Sequence, residues 1–505
     1  MARRSRRSES VTAPPAPPQG GRLRPLGEPQ AARIVEAAFD ILARIGMAGL
    51  DPARAEALCA SGAHLGADDR LRFPRAMVED ALARAPGRIA LPGFAPHTGL
   101  EIGGGRVHLG TGGAAVRVLE AETGAYRDAT LADLYAMMRV LDAAPSIAYG
   151  VRPLVASDLA DPLELDLNTA FACLKGTAKP IGLSVCEAAH LRPVIALLDA
   201  ALGAEGAFRA RPFAMGIVVH VVPPLRFAAD GVEILAACLR EGMIPQICSA
   251  GQAGATSPVT LAGALAQGLA ECLAGLVLVD HLRPGAPCIY ALMPFVSDLR
   301  TGAMSGGGGE GAVASAAAAQ LLARLGLPST VCAGMTDAKL ADAQAGYEKG
   351  YTVALAAEAG ADMINLSAGM LGSIMVASPE ALAIDDDMGG AILRAVRGIE
   401  VSDAALDLDA MARVVAGEGH YLGEPATLAR MKTDYVYPRL GDRRSVAEWQ
   451  AAGSLPIWER ARAHVAGLLA GPPPAHLSRA AEDRVRAAFP IRLPEDAPRV
   501  PQPEV

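Results

Sequence analysis

Between residues 107 and 398 the sequence alternates eight short apolar runs with eight helical stretches. The runs are 107–113, 147–157, 180–185, 213–222, 244–250, 287–294, 329–334 and 362–368. The helical stretches are 131–144, 163–174, 188–202, 227–241, 259–282, 311–326, 341–360 and 379–398. Strands that alternate apolar and polar residues have one wet face. Runs apolar throughout fit strands covered on both faces, as in a parallel sheet wrapped by helices. Eight such units match the α/β class and a closed (β/α)8 TIM barrel. An open doubly wound sheet is the alternative. It would carry a G-x-G-x-x-G turn after its first strand, and GTGGAA at 110–115 matches that only in part.

The flanks read differently. Residues 29–50 place Ile34, Ala37, Ala38, Ile41, Leu42 and Ile45 on one helical face. The expected layout is a disordered tail over 1–28, a helical N-terminal region over 29–106 and the barrel over 107–400. A C-terminal helical extension over 401–470 and a Pro-rich tail over 471–505 complete it.

Lys and Arg total 46 against 54 Asp and Glu, a net charge of −8, which argues against a nucleic-acid partner. The eight cysteines form no C-x-x-C pair, so no metal site is expected. Most sit inside apolar runs, as small buried residues do in a reducing compartment. No apolar block follows the N-terminal arginines, so no secretory signal is read. The uncharged stretch 247–270 is interrupted by Gln252, Thr256, Pro258 and Gln267, which argues against a membrane span. A cytoplasmic protein without a membrane partner is expected. Barrels of this kind often self-associate, so a homo-oligomer is expected too.

In a TIM barrel the chemistry lies where the strands end at their C-termini. That rule selects Arg152 and Asp158 after the second run and His220 after the fourth. Gln252 and Thr256 follow the fifth, and Tyr290, Phe295, Asp298 and Arg300 the sixth. Thr336, Asp337 and Lys339 follow the seventh, and Asn365 and Ser367 the eighth. Each has a plainer reading. His220 could be a satisfied core histidine, Asp337 and Lys339 could cap a helix, and Asp298 could simply pair with Arg300. The glycine run Gly306–Gly309 opens a helix but lacks the G-K-[ST] ending of a phosphate-binding loop. It reads as an anion seat or as a loop that moves aside for a partner. The residues alone support a barrel enzyme of unspecified chemistry.

Longer motifs carry more. GQAGATSPVTLAGALAQGLAECLAG from Gly251, SDLRTGAMSGGGGE from Ser297 and AGMTDAKLADAQAGYEKG from Ala333 resemble the trimethylamine methyltransferase (MttB) superfamily. GEGHYLGEPATLARM from Gly417 continues the likeness, which runs from about residue 30 to 455. The resemblance implies a barrel that passes a methyl group from a methylated amine to the cobalt of a corrinoid (cobalamin) on a separate carrier protein. No cofactor would be bound tightly by this chain. Founding members carry pyrrolysine, whereas this sequence holds only the twenty standard residues. Members of that kind are associated with quaternary amines such as glycine betaine. Asp337, His220 and Glu348 are then the expected catalytic residues. Arg152, Tyr290, Phe295, Asp298, Arg300, Thr336, Lys339, Asn365, His420 and Tyr421 are expected to bind substrate. Gly306, Gly307, Gly308 and Gly309 would form the loop through which the corrinoid gains access. Tyr347 is a further aromatic candidate for a cationic ligand. A non-catalytic amine-binding protein, or a barrel lyase or hydrolase, remains the alternative.

Overall fold

The computed structural model describes residues 17–495. Eight parallel strands close into a barrel: β1 (His108–Gly110), β2 (Ile147–Val151), β3 (Ile181–Leu183), β4 (Ala214–Val218), β5 (Ile244–Ser249), β6 (Ile289–Leu292), β7 (Ser329–Cys332) and β8 (Met363–Asn365). Sequential strands pair throughout, and β8 returns to β1 through Met363 opposite His108. Each strand feeds a helix: α1 (Leu131–Asp142), α2 (Pro162–Gly176), α3 (Leu191–Leu202), α4 (Ala229–Glu241), α5 (Leu261–Leu282), α6 (Gly309–Arg324), α7 (Ala343–Glu358) and α8 (Pro379–Arg397). The expected TIM barrel is the observed one.

Local chemistry sets several of these boundaries. Thr130 caps α1 in a capping box with Asp133, and Asp161, Asp342 and Ser378 cap α2, α7 and α8. Helix α5 is long and apolar enough to cross a membrane, but its apolar window is 89% buried inside the protein. Its small residues let it lie close to the sheet: a Cβ on Gly275 would collide with His220, and one on Gly268 with Leu292.

The foot of the barrel is plugged. The antiparallel ribbon Ile89–Leu91/Leu100–Ile102 brings Ile89, Leu91 and Ile102 into one cluster with Ile244, Ile289 and Met363 at the strand starts. The N-terminal region is therefore not purely helical. Part of the expected N-terminal tail is also ordered. Gly20 N–H donates to Gly105 O at 2.9 Å and Gly21 N–H to Glu358 O at 2.7 Å. Residues 1–16 of that tail lie outside the described residues.

The expected Pro-rich tail from 471 needs correction as well. It contains the helix Arg479–Ala488, which buries Ala481 and Val485. Lys175 of α2 reaches Glu482 at 2.7 Å. Composition read the prolines and missed the apolar stripe between them. Residues 496–505 lie outside the described residues.

Candidate functional site

Small sheets frame the mouth of the barrel. Gln252–Ala253, Phe295–Ser297 and Met304–Ser305 form one over β5 and β6. Met370–Leu371, Val376–Ala377, Arg117–Leu119 and Tyr126–Asp128 form another over β8 and β1. Beneath them the inward positions of the strands make a floor. Tyr149 of β2 is fully buried and lies against Gly110, where a Cβ would meet its ring at 2.2 Å. Its hydroxyl donates to Asn365 Oδ1 of β8 at 2.7 Å. Thr330 Oγ1 donates to Gln246 Oε1 at 3.2 Å. Burial raises the Tyr149 phenol well above its ordinary range, pushes the Cys248 thiol up to about 11 and raises that of Cys332. The floor is therefore neutral and built from hydrogen-bond donors and soft sulfur.

The rim over β6 and β7 is held by two carboxylates. Asp337 follows β7 and accepts from the Gly306 N–H at 2.8 Å and the Gly307 N–H at 3.4 Å. It also accepts from Ser305 Oγ at 3.3 Å and from Ser373 Oγ. Glu348 of α7 accepts from Thr336 Oγ1 at 2.5 Å, from the Asp337 N–H at 2.8 Å and from Gln344 Nε2 at 2.8 Å. The Tyr351 hydroxyl donates to Gly307 O. Gly307 is a steric necessity, since a Cβ there would stand 2.2 Å from the Glu348 carboxyl carbon. Lys339 donates to the Asp337 carbonyl at 2.5 Å. The glycine-rich segment is thus latched shut, and Asp342 rather than Asp337 caps α7. Below the latch, Phe295, Gly306, Cys332 and Met335 line a cavity of only about 10 Å³, room for a single water.

Thr336, Asp337, Lys339, Glu348, Gly306 and Gly307 are therefore assembled in one network, with Phe295 beside it. Gly308 and Gly309 begin α6. Other expected residues lie elsewhere. His220 faces outward and donates or accepts at Glu271 O of α5 over 3.0 Å. Burial depresses it to about 4, so it is a neutral core imidazole away from the mouth. Tyr290 also packs outward, because Ile289 takes the inward position of β6 and neighbours on a strand face opposite sides. Arg152 follows inward-facing Val151 and turns toward Cys173 of α2. Asp298 and Arg300 pair with each other at 2.8 Å on the surface. Tyr347 is 61% exposed. His420 and Tyr421 are exposed on the C-terminal extension, with His420 nearest Glu418. The aromatic candidates Tyr290, Phe295, Tyr347 and Tyr421 do not converge on one cage.

Sequence reasoning missed Tyr149, Gln246, Ser373 and Tyr351. It also missed a rim cluster after β3, where Asp166 accepts from the Cys186 N–H at 2.8 Å and from His190 Nδ1 at 2.7 Å. Burial and Asp166 raise the Cys186 thiol to about 11, so it stays protonated at neutral pH. The usable signal for Tyr149 was its place two residues before Val151 in a strand, which puts both on one face.

Comparison with known proteins agrees with this frame. The profile of a family described as trimethylamine methyltransferase (MTTB) matches residues 1–494. A trimethylamine methyltransferase MttB of Desulfitobacterium hafniense (strain DSM 10664 / DCB-2) is 30% identical over 391 residues, 77% of this chain and 78% of that one. One from Methanosarcina barkeri is 32% identical over 394 residues, 76% of this chain and 78% of that one. A glycine betaine methyltransferase of Desulfitobacterium hafniense (strain Y51) is 28% identical over 455 residues, 88% of this chain and 92% of that one. The crystal structure of the Methanosarcina barkeri monomethylamine methyltransferase (MtmB) overlays 87% of each chain with a TM-score of 0.49 and 13% identity.

Proposed function

The chain belongs to the trimethylamine methyltransferase (MttB) family and is a methyltransferase; from that premise we propose that it takes a methyl group from a quaternary amine bearing a carboxylate, of the glycine betaine type, and delivers it to the reduced cobalt of a corrinoid held by a separate carrier protein. The observation that carries this reading is the neutral floor of the mouth. Its ionisable groups, Tyr149, Cys248 and Cys332, are all held protonated and uncharged by burial. None is a ready acid for a leaving amine. A quaternary ammonium needs none. The methyl carbon leaves nitrogen for cobalt, the C–N electron pair stays on nitrogen, and a neutral tertiary amine departs. The work left to the protein is holding the cation, aligning the bond and excluding water.

Asn365 is the group proposed to meet the substrate carboxylate. Its Oδ1 is occupied by the Tyr149 hydroxyl, so the amide presents its N–H end in the other direction. Phe295 supplies an apolar wall. Asp337 and Glu348 act at one remove, by setting the glycine-rich segment. Because the cavity beneath that segment is about 10 Å³, the segment moves before an amine enters.

The test is a panel of amines offered with a reduced corrinoid carrier, followed by cobalt(I) absorbance. Glycine betaine is expected to methylate the carrier and trimethylamine is not. Transfer from trimethylamine alone, or from no amine, would overturn the proposal.

A further inference from the structure

We propose that the apolar face of residues 399–455 is the contact surface between two copies of this chain. Within those residues fourteen large apolar side chains are at least 40% exposed, more than are so exposed in all the rest of the described chain. The helix Leu408–Ala416 shows the pattern most clearly. Leu408, Met411 and Val415 are 69%, 45% and 82% exposed, while Ala410 and Val414 are buried. Positions i, i+3 and i+7 form one stripe, and here the stripe faces water rather than the core.

The area is large enough to matter. Fourteen such side chains present apolar surface on the order of 1,000 Å². The largest patch on an ordinary monomer is roughly 300–600 Å², and each partner in a stable interface contributes roughly 800 Å². The charges suit a like partner. Residues 399–455 carry nine acidic and six basic side chains, so neither sign dominates and the face can meet its own copy across a two-fold axis.

Its position excludes the cobalt carrier as the occupant. The segment is tied to the C-terminal end of α8, where Arg394 Nε donates to Asp434 O at 2.5 Å and Arg397 Nη1 to Thr433 O at 2.8 Å. Helices of the barrel run against the strands, so that end lies at the foot, opposite the mouth. A partner seated there leaves the mouth free. This argument does not depend on which amine is used.

The test is sedimentation velocity on the full chain at micromolar concentration, with Met411→Glu, Val415→Glu and Leu422→Asp beside it. The wild type is expected at twice the chain mass or a multiple of it. Each variant is expected to weaken assembly by at least about 30-fold, the scale of one central apolar contact, with far-UV circular dichroism unchanged. A wild-type mass of one chain would overturn the proposal. So would folded variants that assemble as the wild type does, or variants that lose only binding to a corrinoid carrier.

Discussion

Replacing Asp337 with alanine removes the acceptor that latches the glycine-rich segment. Four donors converge on that carboxylate, of which the Gly306 N–H at 2.8 Å is the best made of the measured contacts. The Ser305 and Gly307 contacts at 3.3 and 3.4 Å are long. A hydrogen bond to a charged group contributes roughly 1.5–3 kcal/mol, and long ones less. With the Ser373 hydroxyl included, the closed segment should lose about 3 kcal/mol. At 1.4 kcal/mol per factor of ten, its opening becomes about 100-fold more frequent. Hydrogen exchange of a peptide spanning 304–311 reads this directly. Protection there should fall by about two decades, while α5 and the barrel strands keep theirs. Asp337→Asn, which retains one acceptor, should fall between. Unchanged protection in Asp337→Ala would refute the idea that this carboxylate holds the segment.

Three other outcomes follow from the same structure. His220 is depressed from 6.5 to about 4 by burial, so the unfolded chain binds its proton first as pH falls. Its share of stability is complete above about pH 6.5 and is lost toward pH 4. Urea unfolding at pH 7 and pH 5 should show His220→Gln losing about 2 kcal/mol less than wild type across that interval. Lys349 pairs with Asp385 at 2.6 Å with both side chains under 5% exposed. Lys349→Met should cost about 3–5 kcal/mol by urea unfolding, and adding Asp385→Leu should restore most of it. Tyr149→Phe frees the Asn365 amide; KM for glycine betaine should rise several-fold, about 1 kcal/mol, with tetramethylammonium unaffected.

The strands could be read from the sequence because each is a continuous apolar run, from 213–222 to 362–368. The same property hid which way each residue points. When both faces of a strand are buried, both look apolar, and the two-residue period carries no polarity signal. His220 and Tyr290 were placed at the mouth by their position along the strand, and they turned out to face the helices. Tyr149 was passed over for the same reason, though it faces inward. The Asp337 latch was out of reach for another reason. Its partners Ser305, Gly306 and Ser373 lie about thirty residues or more away in sequence, and only the closed barrel brings these loops together. His420 and Tyr421 carry a family motif, yet the fold leaves them on an exposed face at some remove from the floor residues.

The most direct measurement follows the carbon itself. Glycine betaine labelled on its methyl groups is mixed with this protein and a reduced corrinoid carrier. Label should appear on the carrier's cobalt in equal amount to the dimethylglycine released. Label that stays on the amine, or dimethylglycine formed without methylated carrier, would contradict the account.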